Sequence, residues 1–366
     1  MKRILILANS DVGLYKFRRE LIENLLNKYE VYISLPNGIY INQLEKLGCK
    51  FIETQVNRRG TNPLTDLKLM NQYKKIIKEI KPFVVLTYTI KPNIYGGIIC
   101  GLTKTPYISN ITGLGTSIEN NGLVSYISLI LYKWGLKKSN CIFFQNESNK
   151  QFFLRNGIID SNYSLIPGSG VNLLEHAFED YPVEDGIIRF LFIGRIMKSK
   201  GISELLESAK KIHLENTNVE FDLVGDCEED YQKILTDYSS KKIIHYHGQQ
   251  YDVHTFIKRS HATILPSYHE GTANVLLETL ASGRPVLASM VPGCKETFDE
   301  GISGYGFESK DTESLTKTIL KFINLTYEKK RIMGIEGRKK MEEQFDRNIV
   351  VNAYIDQIAK VGRTAK

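Results

Sequence analysis

Short apolar runs alternate along this chain with longer segments in which apolar residues recur every three or four positions. The runs at 2–8, 84–88 and 189–193 are dominated by apolar residues, which is typical of strands buried on both faces of a sheet. The segment 14–25 carries its leucines and phenylalanine at helical spacing, which is typical of an amphipathic helix. Strands that alternate with helices form βαβ units, so the pattern predicts parallel sheets.

The alternation occurs twice, and an aperiodic stretch at 173–187 separates the two occurrences. That stretch is acidic and contains proline, as interdomain linkers do. A chain of 366 residues is long for one hydrophobic core, so two α/β domains are expected. We therefore predict an N-terminal domain at 1–172, a linker at 173–187 and a C-terminal domain at 188–345. The strands of the C-terminal domain are predicted at 189–193, 220–224, 243–247, 262–265 and 285–288.

Composition and cysteine usage narrow the class of protein. Apolar residues make up 42% of the chain and charged residues 24%, which is ordinary for a globular protein. No apolar run reaches the ~18 residues that a membrane span needs. The first residues are interpreted as a strand rather than a signal peptide, because no cleavage site of small residues follows them. The five cysteines are scattered without a CxxC pair, which argues against a zinc site or disulfides and favours a reducing cytoplasm.

Charge is divided unevenly between the two halves. Residues 1–172 hold 22 Lys and Arg against 11 Asp and Glu, whereas the remainder holds 26 against 30. A basic half predicts an anionic partner, and a nucleic acid, an acidic lipid and a pyrophosphate all qualify. The segment 122–138 is apolar with Trp and Lys near its end, so it is either a helix at a membrane interface or a helix buried against the sheet.

A strand, a polar loop and a helix follow one another in the second half. The apolar run at 262–265 predicts a buried strand, and a helix is predicted over 274–282 because Gly283 and then a proline follow it. The first N–H groups of a helix have no intrahelical partner, and the helix dipole favours anions there. We therefore expect a phosphate on the backbone of residues 272–275.

Two glutamates mark this stretch, Glu270 in the loop and Glu278 in the second turn of the helix. Helical side chains lean toward the N-terminus of their helix, so Glu278 is expected to point back at the phosphate site. A carboxylate accepts several hydrogen bonds, which suits a ribose diol at Glu278 and a sugar ring at Glu270. The alternative is one solvated glutamate on a helix face and one loop acid.

Two cations follow the predicted strand at 189–193. Arg195 and Lys200 lie in the loop that leads to the next helix. Such loops gather at the carboxyl ends of parallel strands, where open α/β sheets bind their ligands. Two cations at that place are able to neutralise a departing nucleoside diphosphate. Taken alone, an Arg and a Lys on a loop are more often surface charges.

Taken together, these residues resemble the motifs of the retaining nucleotide-sugar glycosyltransferases of family four. The shared motifs are Gly194-Arg195, Lys200-Gly201, and Glu270 and Glu278 separated by seven residues. The resemblance extends over nearly the whole chain and implies the GT-B fold, in which two Rossmann-like, doubly wound α/β domains face each other across a cleft. The opening at 9–18 is similar to members that act on lipid-linked sugars in capsular-polysaccharide and glycan assembly.

The resemblance implies a retaining transfer of a sugar from a UDP-sugar, such as a UDP-N-acetylhexosamine, to a sugar carried on a polyprenyl diphosphate. Arg195 and Lys200 would balance the charge of the leaving diphosphate, Glu270 would orient the donor sugar and Glu278 would hold the ribose. The leaving phosphate would accept the proton of the acceptor, so no nucleophilic carboxylate is required. No metal is expected, because the chain has no Asp-x-Asp motif, and no cofactor is expected either.

The resemblance also implies that the N-terminal domain binds the acceptor and the C-terminal domain binds the nucleotide-sugar, with two sets of binding residues. The donor-binding set is Gly13, Gly194, Gly225, His247, Ser267, Gly271, Thr272, Ala273, Asn274, Val275 and Glu278. The acceptor-binding set is Arg18, Arg58, Lys91, Asn93, Thr112 and Gly113. A final helix at 346–366 is expected to return to the N-terminal domain. Thr272-Ala273 replaces the Phe-Pro of many relatives near the sugar, so the identity of the donor sugar does not follow from the resemblance.

Two other functions stay open at this point. A GT-B nucleotide-sugar 2-epimerase would use the same donor site without an acceptor, and a non-catalytic protein would bind a sugar nucleotide or another anionic ligand. Nucleic acid is not expected as a partner, because the chain lacks the aromatic residues interleaved with basic ones that a single-strand platform needs. The expected partners are a UDP-sugar, a lipid-linked sugar acceptor and an anionic membrane, with the protein peripheral on the cytoplasmic face of the cell membrane.

Overall fold

The computed structural model of the protein describes residues 1–57, 62–113, 123–215 and 218–364. The chain divides into two compact units, Met1–Ser169 with Arg347–Lys366 and Gly170–Asp346. None of the helices in the described ranges has the length and the apolar character that crossing a membrane requires. The limits and roles predicted for the two domains stay predictions.

The first unit is built on a seven-stranded sheet. Its strands are β1 (Lys2–Leu7), β2 (Tyr29–Leu35), β3 (Lys50–Glu53), β4 (Val84–Tyr88), β5 (Tyr107–Ile111), β6 (Cys141–Phe144) and β7 (Tyr163–Leu165). They lie in the order β3-β2-β1-β4-β5-β6-β7, and each neighbouring pair is parallel. Within the described residues, its helices include α1 (Asp11–Leu26), α2 (Ile41–Leu47), α3 (Pro63–Ile80), α4 (Gly97–Thr103), α5 (Leu123–Leu136) and α6 (Glu147–Arg155).

Side chains of β1 alternate between two apolar layers. Ile4 and Ile6 belong to one buried cluster, which includes residues of α1, and Leu5 and Leu7 belong to another, which includes residues of α3. Successive side chains of a strand point to opposite faces, so this division places helices on both faces of the sheet. The doubly wound architecture predicted from the sequence is therefore confirmed for this unit.

Polar caps set the beginnings of α1 and α3. The Ser10 hydroxyl accepts a hydrogen bond from the backbone N–H of Gly13 at 3.4 Å, and the Asn62 side chain accepts from Leu64 at 3.0 Å. Pro63 occupies the first position of α3, where a missing N–H costs nothing. Gly13, one of the residues predicted to bind the donor, lies in the first turn of α1.

The second unit contains a six-stranded parallel sheet. Its strands are β8 (Ile188–Ile193), β9 (Val219–Val224), β10 (His245–Tyr246), β11 (Ala262–Leu265), β12 (Val286–Ser289) and β13 (Gly304–Phe307). They lie in the order β10-β9-β8-β11-β12-β13. Its helices are α7 (Ile202–Glu215), α8 (Gln232–Ser240), α9 (His254–Arg259), α10 (Asn274–Ala281), α11 (Thr312–Ile323) and α12 (Tyr327–Gln344).

Two strands of this sheet differ from the prediction. The strand predicted at 243–247 is reduced to the two residues of β10, because the N–H of Ile243 donates at 2.9 Å to the Tyr238 carbonyl of α8 instead of to a neighbouring strand. The pattern does not predict β13, since its alternating glycines give no apolar run. At Gly304 a Cβ would lie 2.4 Å from the Val286 carbonyl oxygen, so close strand pairing requires glycine there.

The stretch predicted as a linker packs on the second unit. Tyr181 is buried, and its hydroxyl donates to the His261 carbonyl at 2.8 Å. The guanidinium of Arg284 donates to the carbonyls of Glu179 at 2.7 Å and Asp180 at 2.9 Å. The middle of this stretch is therefore fixed by hydrogen bonds that its own composition does not reveal.

The last helix, α13 (Arg347–Thr364), belongs to the first unit. Tyr354 and Ile358 are part of the apolar cluster that contains α1. At the start of α13, a guanidinium nitrogen of Arg347 binds both carboxylate oxygens of Glu20, at 2.9 and 3.0 Å. The core of the first unit is thus completed by the final residues of the chain.

Each sheet contains one point at which the order of the strands reverses. It lies between β1 and β4 in the first unit and between β8 and β11 in the second. The loops that leave the carboxyl ends of two such strands diverge to opposite faces, and the crevice between them is where open α/β sheets bind ligands. The loops after these four strands are therefore the expected places for a functional site.

Candidate active site

A lysine and a glutamate meet where β8 and β11 end. Lys200 lies in a 3₁₀ turn, Lys198–Lys200, after β8, and Glu270 lies in the loop after β11. The ammonium group of Lys200 binds the Oε1 atom of Glu270, and the two side chains are only 19% and 15% exposed. Because β8 and β11 are the two strands at which the strand order reverses, the loops after them border the same crevice. The structure therefore brings together two of the three residues predicted to be catalytic.

A glycine holds the turn that carries Lys200 against the neighbouring loop. Gly201 has φ +69°, and a Cβ there would lie 2.1 Å from the Pro266 carbonyl oxygen. The two loops also share a backbone hydrogen bond from Tyr268 N–H to the Ser199 carbonyl, at 2.9 Å. Only glycine satisfies both the left-handed backbone and the close approach. The sequence pair Lys-Gly thus fixes the position of the cation.

Two serines and a glycine surround the loop of Glu270. The Ser267 hydroxyl donates to Glu270 Oε1 at 2.8 Å, and the Ser289 hydroxyl donates to the Ser267 carbonyl. On the other side, Gly293 lies so near that a Cβ would be 2.5 Å from the Glu270 carbonyl oxygen. Both the backbone and the carboxylate of Glu270 are therefore held in place.

Helix α10 begins beside this loop with its N-terminus uncapped by a side chain. Its N-cap residue is Ala273, whose own N–H donates to the Gly293 carbonyl at 2.8 Å. The N–H groups of Asn274 and Val275, at the first two helical positions, have no intrahelical acceptor. The Oδ1 atom of Asn274 is buried, and it finds no hydrogen-bond partner among the described residues. This end of α10 offers donors and a positive dipole to an anion.

The backbone of residues 272–275, where a phosphate was predicted, therefore offers fewer donors than expected, and the phosphate site stays a prediction. The N–H of Ala273 is occupied by the hydrogen bond to Gly293, so it is not available to a phosphate. Glu278 is partly exposed and lies four residues after Asn274, which places both on one face of α10. Gly271 and Thr272 are partly exposed in the loop between Glu270 and the helix.

Arg195 does not join the pair of Lys200 and Glu270. Its guanidinium binds Glu228 at 3.0 Å, and its side chain is 50% exposed. Just before it, Gly194 lies against Gly225, where a Cβ would be 1.8 Å from the Gly194 carbonyl oxygen. The ends of β8 and β9 thus approach each other closely, which explains Gly225 without a ligand.

His247 is held by a buried carboxylate. Its Nε2 atom lies 2.6 Å from Asp222 Oδ1, and a guanidinium nitrogen of Arg259 lies 2.7 Å from the same oxygen. The Asp222 side chain is only 4% exposed, so two partners offset the cost of its buried charge. The imidazole also packs on Phe256 with ring centroids 4.8 Å apart. The predicted contact between His247 and a nucleotide stays a prediction.

Three of the predicted acceptor-binding residues, Arg18, Lys91 and Asn93, follow β1 or β4, the two strands at which the strand order reverses. Arg18 is only 4% exposed, its guanidinium donates to the Phe17 carbonyl at 3.0 Å and its Cζ lies 5.2 Å from the Tyr88 ring centroid. Lys91 binds Asp66 at 2.6 Å. Arg18 is thus enclosed by the fold, whereas Lys91 is tied by an ion pair.

Asn93 is fully buried and its amide group is occupied. Its Oδ1 accepts from the Thr87 hydroxyl at 2.7 Å, and its Nδ2 donates to the Asn110 carbonyl at 2.7 Å. Thr112 and Gly113 follow β5 and are partly exposed. Arg58 lies outside the described residues. The sequence gives little reason to expect that Asn93 spans β4 and β5, because both partners are remote from it along the chain.

The sequence also did not indicate Asp66. Its carboxylate accepts from Lys91 and, at 2.7 Å, from the Tyr95 hydroxyl. The helix dipole alone favours an aspartate in the first turn of a helix. Its position in the sequence therefore does not indicate that Asp66 also binds Lys91 and Tyr95. In the described part of the chain, no cluster of three or more His, Cys, Asp or Glu side chains has the arrangement of a metal site.

Two doubly wound α/β units, the second with a cation, a carboxylate and a helix N-terminus at its strand-order reversal, agree with the GT-B class of glycosyltransferases that the sequence predicts. Family models agree with this class for both halves. Residues 3–146 match the model "Glycosyl transferase 4-like", and residues 175–340 match "Glycosyl transferases group 1". The two models together cover most of the chain, so both of its halves resemble glycosyltransferase domains, and the predicted family resemblance is confirmed.

Three relatives are similar to most of the chain. The N,N'-diacetylbacillosaminyl-diphospho-undecaprenol alpha-1,3-N-acetylgalactosaminyltransferase of Campylobacter jejuni is 27% identical over 96% of this chain and 97% of its own. The capsular polysaccharide biosynthesis glycosyltransferase CapM of Staphylococcus aureus is 25% identical over 78% of this chain and 80% of its own. An Escherichia coli UDP-Gal:alpha-D-GlcNAc-diphosphoundecaprenol alpha-1,3-galactosyltransferase is 24% identical over 72% of each chain.

Solved structures agree on the fold. The sucrose-phosphate synthase of Thermosynechococcus elongatus superimposes with a TM-score of 0.81 over 100% of both chains, at 18% sequence identity. The predicted GT-B fold is therefore confirmed, and the protein is a glycosyltransferase.

Proposed function

We propose that this glycosyltransferase moves a sugar from a UDP-sugar to a sugar carried on a polyprenyl diphosphate, with retention of the anomeric configuration, in capsule or related glycan assembly. The observation that carries the proposal is the pair of Lys200 and Glu270 beside the N-terminus of α10. The site offers positive charge for a diphosphate and a carboxylate for hydroxyl groups. Three relatives named for capsule synthesis or for undecaprenyl-diphosphate-linked acceptors support this choice of acceptor.

The chemical role of each group follows from its charge and position. Lys200 and the first N–H groups of α10 stabilise the negative charge that develops on the departing diphosphate. Arg195 contributes in the same way after it exchanges Glu228 for a phosphate oxygen. The acceptor hydroxyl attacks on the face from which the diphosphate leaves, and the diphosphate takes its proton. Glu270 holds the donor sugar by a ring hydroxyl, and Glu278 holds the ribose.

Acceptor recognition is assigned to the first unit. Lys91 is assigned to the diphosphate of the acceptor; its ammonium group binds Asp66 at 2.6 Å, and its side chain is 13% exposed. Thr112 and Gly113 line the same edge of the sheet, after β5. Arg18 and Asn93 contribute by holding β4 and its loop, since both are buried.

Transfer is tested directly with purified protein and a panel of donors. UDP-glucose, UDP-galactose, UDP-N-acetylglucosamine and UDP-N-acetylgalactosamine are each incubated with a synthetic polyprenyl-diphosphate-linked sugar, and released UDP is measured. We expect one donor to release UDP only when the acceptor is present, and the product to have the anomeric configuration of the donor by NMR. Formation of a 2-epimer without acceptor, or failure of every nucleotide-sugar to bind, would contradict the proposal.

We further propose that one face of α5 rests on an anionic membrane. Tyr126, Ile127 and Trp134 are 64%, 46% and 62% exposed. Trp134 lies about two helical turns after the first two, so the three side chains share one face of α5. Tyr132 and Leu136 are buried. The exposed face thus carries aromatic and aliphatic groups, and the segment ends in lysines. Apolar side chains beside lysines suit the interface of an acidic bilayer.

The membrane proposal predicts a defined loss on substitution. Trp134→Glu should reduce co-sedimentation with vesicles containing phosphatidylglycerol at low salt about tenfold, because it places a charge where an aromatic ring would enter the interface. Leu214→Glu is the matched control, since Leu214 is 78% exposed on α7 of the second unit. Equal binding by the two variants would exclude α5 as the membrane-facing element.

A further inference from the structure

We propose that Ser267 is a positioning residue, which fixes one oxygen of Glu270 so that the other oxygen, Oε2, receives a hydroxyl of the donor sugar. This inference rests on the proposed function and concerns the same site. It replaces the direct donor contact expected of Ser267 with an indirect one. Ser267 has no exposed surface, so its hydroxyl acts through Glu270.

The hydrogen bonds of Glu270 are distributed unequally between its two oxygens. Ser267 donates to Oε1 at 2.8 Å, and Lys200 binds the same atom. Among the described residues, these are the hydrogen bonds that the carboxylate makes, and neither goes to Oε2. An ionised carboxylate has acceptor capacity on both oxygens. Since the side chain is 15% exposed, Oε2 is the atom that meets a ligand.

The serine is itself held against displacement. The Ser289 hydroxyl, at the end of β12, donates to the Ser267 carbonyl, so the backbone of the loop is tied to the neighbouring strand. Gly293 packs against the Glu270 carbonyl from the following loop. The backbone that carries the Ser267 hydroxyl is therefore held in place, and the hydrogen bond from this hydroxyl to Glu270 Oε1 restrains rotation of the carboxylate.

Lys200 alone would hold the Glu270 carboxylate poorly, because the same ammonium group has to neutralise both Glu270 and the leaving diphosphate. In this structure it neutralises Glu270, and during the reaction it has to neutralise the leaving diphosphate as well. An ammonium group has three donors on a flexible stem, and its position shifts as charge moves. A neutral hydroxyl is not drawn to the phosphate in this way. Ser267 thus keeps the carboxylate oriented while Lys200 turns toward the diphosphate.

The experiment compares Ser267→Ala with Ser267→Thr, which retains a hydroxyl, and with Ser260→Ala. Ser260 is a buried serine of the same unit whose hydroxyl donates to the Ile257 carbonyl at 2.9 Å. Dissociation constants for UDP and for the UDP-sugar that the wild-type protein turns over are measured by calorimetry, together with kcat and the melting temperature. The ratio of the two dissociation constants measures what the sugar contributes to binding.

For Ser267→Ala we expect an unchanged affinity for UDP, within twofold, and an affinity for the UDP-sugar and a kcat each reduced about tenfold, as suits the loss of a hydrogen bond to a charged group. Ser267→Thr should recover most of the affinity for the UDP-sugar and most of kcat. Ser260→Ala should change the melting temperature about as much as Ser267→Ala does, but it should change neither the affinity for the UDP-sugar nor kcat. With a donor analogue that lacks the sugar hydroxyl bound by Glu270, wild type and Ser267→Ala should become equal.

Three results would overturn the inference. They are an equal loss of affinity for UDP and UDP-sugar in Ser267→Ala, no loss in either, and a loss that persists with every deoxy-sugar donor. Failure of the wild-type protein to bind any UDP-sugar would overturn the proposed function together with this inference. A wild type that binds and turns over a UDP-sugar, combined with an inert Ser267→Ala substitution, would overturn the inference alone.

Discussion

Replacing Lys200 by alanine is expected to lower kcat by about 10²–10³-fold, the cost typical of losing one preorganised group that stabilises transition-state charge. The ammonium group is largely enclosed and lies on Glu270, next to the helix end where a diphosphate is expected. Arg195→Ala should cost less, because Arg195 is half exposed and pairs with Glu228. The measurement is the rate of UDP release at saturating donor and acceptor.

Lys198→Ala provides the control for this experiment. Lys198 belongs to the same 3₁₀ turn and carries the same charge, but its side chain is exposed. Its loss should change kcat by less than about twofold, because charges in water are screened. A Lys200→Ala enzyme that works within twofold of the wild type would remove Lys200 from the catalytic site.

The second large effect concerns stability. Arg284→Met is expected to lower the free energy of unfolding by about 5 kcal/mol or more, because it leaves several buried carbonyls without a donor. Arg284 has no exposed surface and makes five hydrogen bonds, all to backbone carbonyls. Burial lowers the pKa of its guanidinium to about 10, which reflects the cost of holding a charge there. The midpoint of urea unfolding of the full chain measures the effect.

Arg331→Met is the matched substitution. Arg331 is 43% exposed on α12 and pairs with Glu328 one turn before it. An exposed ion pair of this kind contributes less than about 1 kcal/mol. A shift of the midpoint for Arg284→Met that is no larger than for Arg331→Met would show that the carbonyls around residue 284 find other donors.

The sequence predicts most of the fold because the signal is local. Apolar runs separated by helical periodicity specify parallel strands, and β11 has the predicted bounds, 262–265. The pairing of Lys200 with Glu270 also agrees with a rule, since the loops after the two strands at a strand-order reversal border the same crevice. The order of the elements along the chain and the spacing of apolar residues are therefore enough to predict these strands and loops.

What the sequence does not predict depends on contacts between distant segments. Arg284 appears in a short turn between α10 and β12, and nothing nearby indicates that carbonyls of residues 179 and 258 converge on it. Arg195 was expected beside Lys200, yet it turns to Glu228, which follows a different strand. A sequence pattern predicts which segment carries a side chain. It does not predict which nearby partner in the folded protein the side chain binds.

The return of α13 to the first unit has a consequence for synthesis of the protein. The second unit has all of its residues once Asp346 has been made, whereas the first unit still lacks Tyr354 and Ile358 from its core. The half of the chain that leaves the ribosome first is therefore the half that matures last. A nascent chain halted near residue 346 would expose the apolar surface that α13 normally covers, and such surface promotes aggregation.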